Sequence, residues 1–194
     1  MVDKVANREL ILQLQNGSLE ALGVLYDRHQ FLVYRTALAI TGDTEAAADL
    51  LQDVFLRLHR FADRVDPGRP LEPWLYRMTV NQSHDWVKRM NHWSQPLEDF
   101  VEWLASAGKN PPYEAVERND EWQQVQQVIS SLPLNQRIVV VLYYLNDLSM
   151  KEISEILDIP VGTVKSRLHY GRLALKKKLE LHKDILPDFN YESS

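Results

Sequence analysis

Cysteine is absent from this 194-residue chain, which removes disulfide scaffolds, thiolate zinc sites, iron–sulfur clusters and cysteine nucleophiles together. Glycine is scarce, with only 7 residues, and no G-x-G-x-x-G or P-loop pattern gathers them into a phosphate cradle. No apolar run approaches the roughly 18 residues of a membrane span, and the first residues carry no apolar signal core. A soluble, cytoplasmic protein without membrane insertion is expected. Alternating strand patterns are missing, so an all-α fold is expected. An excess of cations is lacking too. The 22 Lys and Arg face 27 Asp and Glu, a net charge of −5 that on average disfavours a nucleic-acid partner.

What is present reads as helix. Ser18 caps a segment to about Ile40, and Thr41-Gly42-Asp43 breaks it. Asp43 or Thr44 then caps a helix with the apolar stripe Ala47, Leu51, Val54, Leu58 and Phe61. Asp66-Pro67-Gly68-Arg69-Pro70 is a loop, and Pro73 suits the first turn of a helix from Trp74 to about Met90. Residues 96–130 hold seven carboxylates against two cations, with Pro96, Gly108 and Asn110-Pro111-Pro112; most of that stretch reads as a linker. Helices are then expected at 122–132, 135–145, 149–157 and 161–179. The architecture is two small helical bundles joined by a flexible acidic linker. Residues 1–90 form the first, 91–121 the linker, 122–183 the second, and 184–194 an acidic tail.

The second bundle carries a helix-turn-helix pattern. Ser149 and Glu152 make a capping box, Met150, Ile153, Ile156 and Leu157 face inward, and small Ser154 admits a close neighbour. Asp158-Ile159-Pro160 is the turn. The next helix is expected to bury Val161, Val164, Leu168 and Leu175 and to expose Thr163, Lys165, Ser166, Arg167, His169, Tyr170 and Arg172. Hydroxyl and basic side chains in that array suit a helix in a DNA major groove. Residues 161–178 contain six cations and no carboxylate, so the acidic average hides a basic stripe.

The helix after Pro73 interleaves Trp74, Tyr76 and Trp86 with Arg77, Lys88 and Arg89. Aromatic faces stack on unpaired bases and cations track phosphates, but aromatic residues in a helical bundle equally serve as core. Asn81 and Asp85, four apart, share one face, either as a structural pair or toward a base edge.

In this order and spacing the motifs resemble the extracytoplasmic-function (ECF, group IV) RNA polymerase sigma factors. The resemblance rests on Asp49-Leu-Leu-Gln-Asp-Val-Phe55, Pro73-Trp-Leu-Tyr-Arg77 with Asn81 and Asp85, Leu132-Pro133 with Gln136-Arg137, and Gly162-Thr-Val-Lys-Ser-Arg-Leu168. It implies that residues 1–90 act as sigma region 2 and 122–183 as region 4. It also implies that Asp49, Gln52, Asp53 and Leu56 dock on the polymerase clamp, with the polymerase flap as a further contact. Residues 62–72, with Arg69, and the helix bearing Trp74, Tyr76, Arg77, Asn81, Asp85, Lys88 and Arg89 would recognise and melt the minus-ten element. The helix 161–175 would read the minus-thirty-five element through the seven residues from Thr163 to Arg172 named above, and the linker would thread the polymerase interior. Core polymerase, promoter DNA and an anti-sigma factor are the implied partners. The chain departs from the family pattern at Ser154 and Asp158, and at His169-Tyr170-Gly171-Arg172, where relatives commonly read His/Tyr-Arg-Ala-Arg. Gly171 either permits a close approach or weakens the helix.

A stand-alone helix-turn-helix regulator is the competing reading, and would bind duplex DNA without polymerase. An enzyme is disfavoured, since the six histidines form no i, i+4 pair. His84 and Asp85, beside Ser83, are sequence neighbours expected to point apart on a helix. No cofactor or metal is expected. Acidic linker and tail should repel DNA, so the intact chain is expected to bind promoters poorly until polymerase captures the linker.

Overall fold

The computed structural model describes residues 6–92, 126 and 128–181. The acidic tail and nearly all of the expected linker lie outside the described residues. Every regular element among the described residues is helical. In order these are α1 (Asn7–Gln15), α2 (Leu19–Thr41), α3 (Thr44–Arg60), a 3-10 turn (Ala62–Arg64) and α4 (Glu72–His92). Then follow α5 (Leu134–Val140), which runs into a π-helical turn (Val141–Leu145), α6 (Met150–Leu157) and α7 (Val161–Leu181).

The helix boundaries follow local chemistry. Ser18 Oγ accepts from Ala21 N at 3.2 Å and Asp43 Oδ1 from Ala46 N at 2.8 Å, each satisfying a donor left open at a helix start. Gly42, at φ 74°, ends α2 in the left-handed conformation that a β-carbon disfavours. The buried face of α3 (Ala47, Leu51, Val54, Leu58) joins Leu25, Val33, Tyr34, Leu71 and Leu75 in a first core confined to the N-terminal half. Phe61, expected to extend that stripe, instead ends the helix half-buried, with the guanidinium groups of Arg60 and Arg64 over its ring at 5.5 and 5.0 Å.

A second core joins the two halves. Ala39 and Ile40 of α2 and Tyr76 and Val80 of α4 pack with Leu132, Ile138, Leu142, Ile153, Ile156, Val164 and Leu168. Residues 36–40 of α2 are all buried, and five successive helical residues point round the whole helix, so both sides of α2 are covered. The sequence pattern treats the bundles as separate units. It misses the contact because a fully apolar helix circumference does not say what lies against it.

Polar groups fasten this junction. Arg35 Nη2 donates to Asn146 Oδ1 at 2.9 Å, and Thr36 Oγ1 lies 3.3 Å from the same oxygen. Arg137 Nη1 donates to Ile40 O at 2.6 Å, while its Nη2 reaches the carbonyls of Ser130 and Leu132. Burial lowers the pKa of Arg137. Gln126 Nε2 donates to Leu38 O at 2.7 Å.

The helix expected over 135–145 is thus two pieces. Asn146 N bonds Val141 O at 3.2 Å, the five-residue spacing of a π turn, and this wider turn sets Asn146 at the junction. Val161, expected inside, is 45% exposed at the first turn of α7. Val164, Leu168 and Gly171 form the packed face in its place. The structure decides between the two readings of Gly171. A β-carbon there would stand 2.7 Å from Val140 Cγ2, so glycine permits close approach of α7 to α5.

Candidate nucleic-acid and polymerase interfaces

The helix-turn-helix is α6, its turn and α7. Glu152 N donates to Ser149 Oγ at 3.3 Å and Ser149 N to Glu152 Oε2 at 2.8 Å, which closes the capping box. These bonds hold the Glu152 carboxyl below its ordinary range. Asp158 takes the left-handed conformation at φ 53°. Ser154 does more than admit a neighbour: its Oγ donates to Ile159 O at 2.6 Å and locks the turn. Pro160 O then accepts from Thr163 N and Val164 N at 2.9 and 3.1 Å, starting α7 at a set angle.

On α7, Lys165, Ser166, His169, Tyr170 and Arg172 are exposed, and Thr163 and Arg167 are half-buried. The rings of His169 and Tyr170 meet edge to face at 5.5 Å. Arg172 is held by a partner that the sequence reading missed. Its Nε donates to Tyr144 Oη at 2.6 Å, and its guanidinium lies 5.4 and 5.5 Å from the ring centres of Tyr143 and Tyr144. The signal was the Tyr143-Tyr144 pair closing the apolar run 138–142.

The face of α3 opposite the first core carries Asp49, Gln52, Asp53 and Leu56, all exposed, with Leu56 at 63%. A shallow hollow lined by Asp53, Leu56, Arg57, Arg60 and Phe61 adjoins it. Leu56 thus stands exposed among carboxylates on the side of α3 turned away from the core.

The α4 set divides. Asn81, Asp85, Lys88 and Arg89 are exposed. Arg69 sits on the preceding loop, where its Nε lies 3.3 Å from Asp66 Oδ2. Two of the set are engaged within the chain itself. Tyr76 is only 6% exposed and belongs to the second core; burial pushes its phenol up, so here it is a packing residue without a free face for a base. Arg77, though exposed, is held by backbone carbonyls. Its Nε donates to Ile156 O at 3.0 Å and its Nη2 to Glu155 O at 2.5 Å, tying α4 to the end of α6. Trp74 is half-buried against the first core. His84 and Asp85, expected to diverge, approach to 3.6 Å between Nδ1 and Oδ1. Among the described residues no three His, Asp or Glu gather as metal ligands, and no helix is long and apolar enough to cross a membrane.

These features define an all-α protein with a C-terminal helix-turn-helix. Residues 25–93 match the family described as Sigma-70 region 2, and residues 122–175 match Sigma-70, region 4. The chain is 32% identical over 188 residues to the ECF RNA polymerase sigma factor SigW of Bacillus subtilis (strain 168), covering 89% of this chain and 96% of that one. It is 29% identical over 192 residues to the ECF RNA polymerase sigma-E factor of Escherichia coli (strain K12), covering 93% and 97%. Its fold is similar to CnrH, solved in complex with the cytosolic domain of CnrY, at TM-score 0.68 and 24% identity over 91% of this chain and 99% of CnrH. It is also similar to the sigma factor RpoE from Bartonella quintana, solved with the anti-sigma factor NepR, at TM-score 0.58 and 19% identity over 78% and 92%. The chain belongs to the ECF RNA polymerase sigma factors. It is a transcription-initiation factor that works with RNA polymerase at promoter DNA.

Proposed function

We propose that this chain is a group IV member of that family and that its two halves divide the work. Residues 1–90 bind the polymerase clamp through Asp49, Gln52, Asp53 and Leu56. They engage the minus-ten element through Arg69, Asn81, Asp85, Lys88 and Arg89. Residues 122–183 contact the polymerase flap and read the minus-thirty-five element through Thr163, Lys165, Ser166, Arg167, His169 and Tyr170. Residues 91–121 link the halves, and 184–194 form a tail. The factor performs no covalent chemistry, needs no cofactor and acts in the cytoplasm.

One observation carries this reading: a single chain presents an acidic and apolar docking face on α3 together with a basic, capped helix-turn-helix. Melting requires unpaired bases to be held outside the stack, at a cost of a few kcal/mol that pocket contacts must offset. Tyr76 and Arg77 join the minus-ten set only when α6 leaves α4, because α6 occupies them here. Promoter binding is therefore conditional on opening, a steric reason that stands beside the electrostatic one expected of the acidic linker. An anti-sigma factor is a fitting regulator, since a related fold was solved with one and the same junction offers it a place to hold the halves. Copurification from native cells at full activity without such a partner would count against that control.

Run-off transcription with purified core polymerase tests the central reading. The chain is expected to direct initiation at one class of promoter, and Asp53→Ala or Leu56→Ala to lower holoenzyme formation. Duplex binding without core, with no initiation when core is added, would establish the stand-alone regulator instead.

A further inference from the structure

Arg172 of α7 is held by an aromatic pair before any ligand arrives. The Tyr144 hydroxyl takes its Nε–H at 2.6 Å, and the rings of Tyr143 and Tyr144, edge to face at 5.0 Å, both lie under its guanidinium. Among the described residues no protein acceptor engages its two Nη groups, and both Arg172 and Tyr144 are exposed. A free arginine side chain loses rotamer entropy on being fixed; here the aromatic pair has already restricted it.

Arg172 lies on a flank of α7 rather than at its most outward position. Leu173, 51% exposed, marks the outward face of α7, and its neighbour lies roughly 100° round the helix, on the flank against the π turn. Lys165 is exposed seven residues earlier, on that same flank. A fork of N–H donors on a helix flank matches the oxygens of a phosphate, which accept two parallel bonds. The Tyr144 hydroxyl, which accepts from Arg172, keeps its own proton to donate.

We propose that Tyr144 is a positioning residue that aims Arg172 at a backbone phosphate of the promoter duplex. The pair forms a clamp that sets the register of α7 while its outward face reads the bases. Phosphate contacts of this kind fix orientation without carrying sequence information. The proposal rests on the sigma-factor reading and assigns its chemistry to two particular side chains.

The test is promoter binding by the full chain in holoenzyme with core polymerase, over a salt series and a panel of single base-pair substitutions. Arg172→Ala should lower the log–log salt slope by about 0.9, the value for one phosphate contact in B-DNA, with the same ranking of sequences. Arg172→Lys should keep the slope yet bind more weakly than wild type, since an ammonium has neither Nε nor fork. Tyr144→Phe should weaken binding roughly threefold, as expected for losing one orienting hydrogen bond, and should have no further effect in the Arg172→Ala background.

An unchanged slope in Arg172→Ala overturns the clamp. So does an altered base preference in that variant, which would make Arg172 a reader. A merely structural Tyr144 would lower the melting temperature and weaken binding whatever stands at 172, and that result also overturns it. Failure of the wild-type holoenzyme to find any promoter would overturn the sigma-factor reading itself, so the two failures are distinct.

Discussion

The two cores of this molecule are sealed differently. The first lies within the N-terminal half and is closed by side chains such as Leu25, Leu51, Leu58 and Leu75. Gln15 Nε2 donates beside it to the carbonyls of Ala62 and Val65 at 3.0 and 2.9 Å, within the same half. The second lies between the halves, and arginine and asparagine side chains bond directly across it. Contacts between domains are more polar than domain interiors, so the second core has the character of an interface. One core holds a half together, and the other holds the halves in place, which is the difference that the proposed opening requires.

The largest expected effect breaks the first core. Leu58 is fully buried on α3's inner face, near the end of the helix. Leu58→Ala should cost about 3–4 kcal/mol, from lost transfer energy and the cavity left behind. Urea unfolding followed by far-ultraviolet dichroism would measure it.

A smaller effect is expected at the junction. Asn146→Ala removes the acceptor of Arg35 Nη2, a bond buried between the halves, and should cost about 2 kcal/mol, as for a buried donor left unpaired. The cost should fall on the junction. Because the chain has no cysteine, one engineered in α2 and one in α6 would carry a fluorophore pair, and energy transfer should drop in Asn146→Ala while helicity holds. A loss of helicity as large as that of Leu58→Ala would erase the distinction between the cores.

The same contrast explains what the sequence made legible. Period and caps gave α2, α3 and the helix-turn-helix, because Ser18, Asp43, Ser149 and Glu152 act within three residues of themselves. The exposure of Asp49, Gln52, Asp53 and Leu56 was legible for the same reason, since it follows helical spacing. The contacts of Arg77 were not legible because its partners come from α6, 78 and 79 residues away, nor was the burial of Tyr76, whose core is shared with the other half. The partner of Arg172 lies 28 residues back across a π turn, and an apolar run reads alike whether four or five residues close each turn. Local chemistry was readable; contacts between the halves were not.

The smallest expected effect is on pH, and it separates the halves by chemistry. His29 of α2 is buried, and desolvation lowers its pKa below 6.5, with Arg28 adding to the fall and Glu72 opposing it. Geometry agrees on the neutral form. Arg28 Nη1 donates to Asn7 Oδ1 at 3.1 Å, which turns the Asn7 amide nitrogen toward His29 Nε2 at 3.2 Å, so that ring nitrogen accepts. The other, Nδ1, lies 4.0 Å from Glu72 Oε1. Protonation would put two donors face to face where α1 meets α2. A base whose pKa is lowered on folding binds more protons when unfolded, so stability is complete above about 6.5 and falls as pH drops from there toward the folded pKa. Urea midpoints should therefore decline below pH 6.5 in the wild type and decline less in His29→Gln. The junction is fastened by arginine, threonine and asparagine, none of which titrates in that range. The energy-transfer signal between α2 and α6 should accordingly stay flat while α1 loosens; if it falls first, acid acts on the junction and the first half is the more robust of the two.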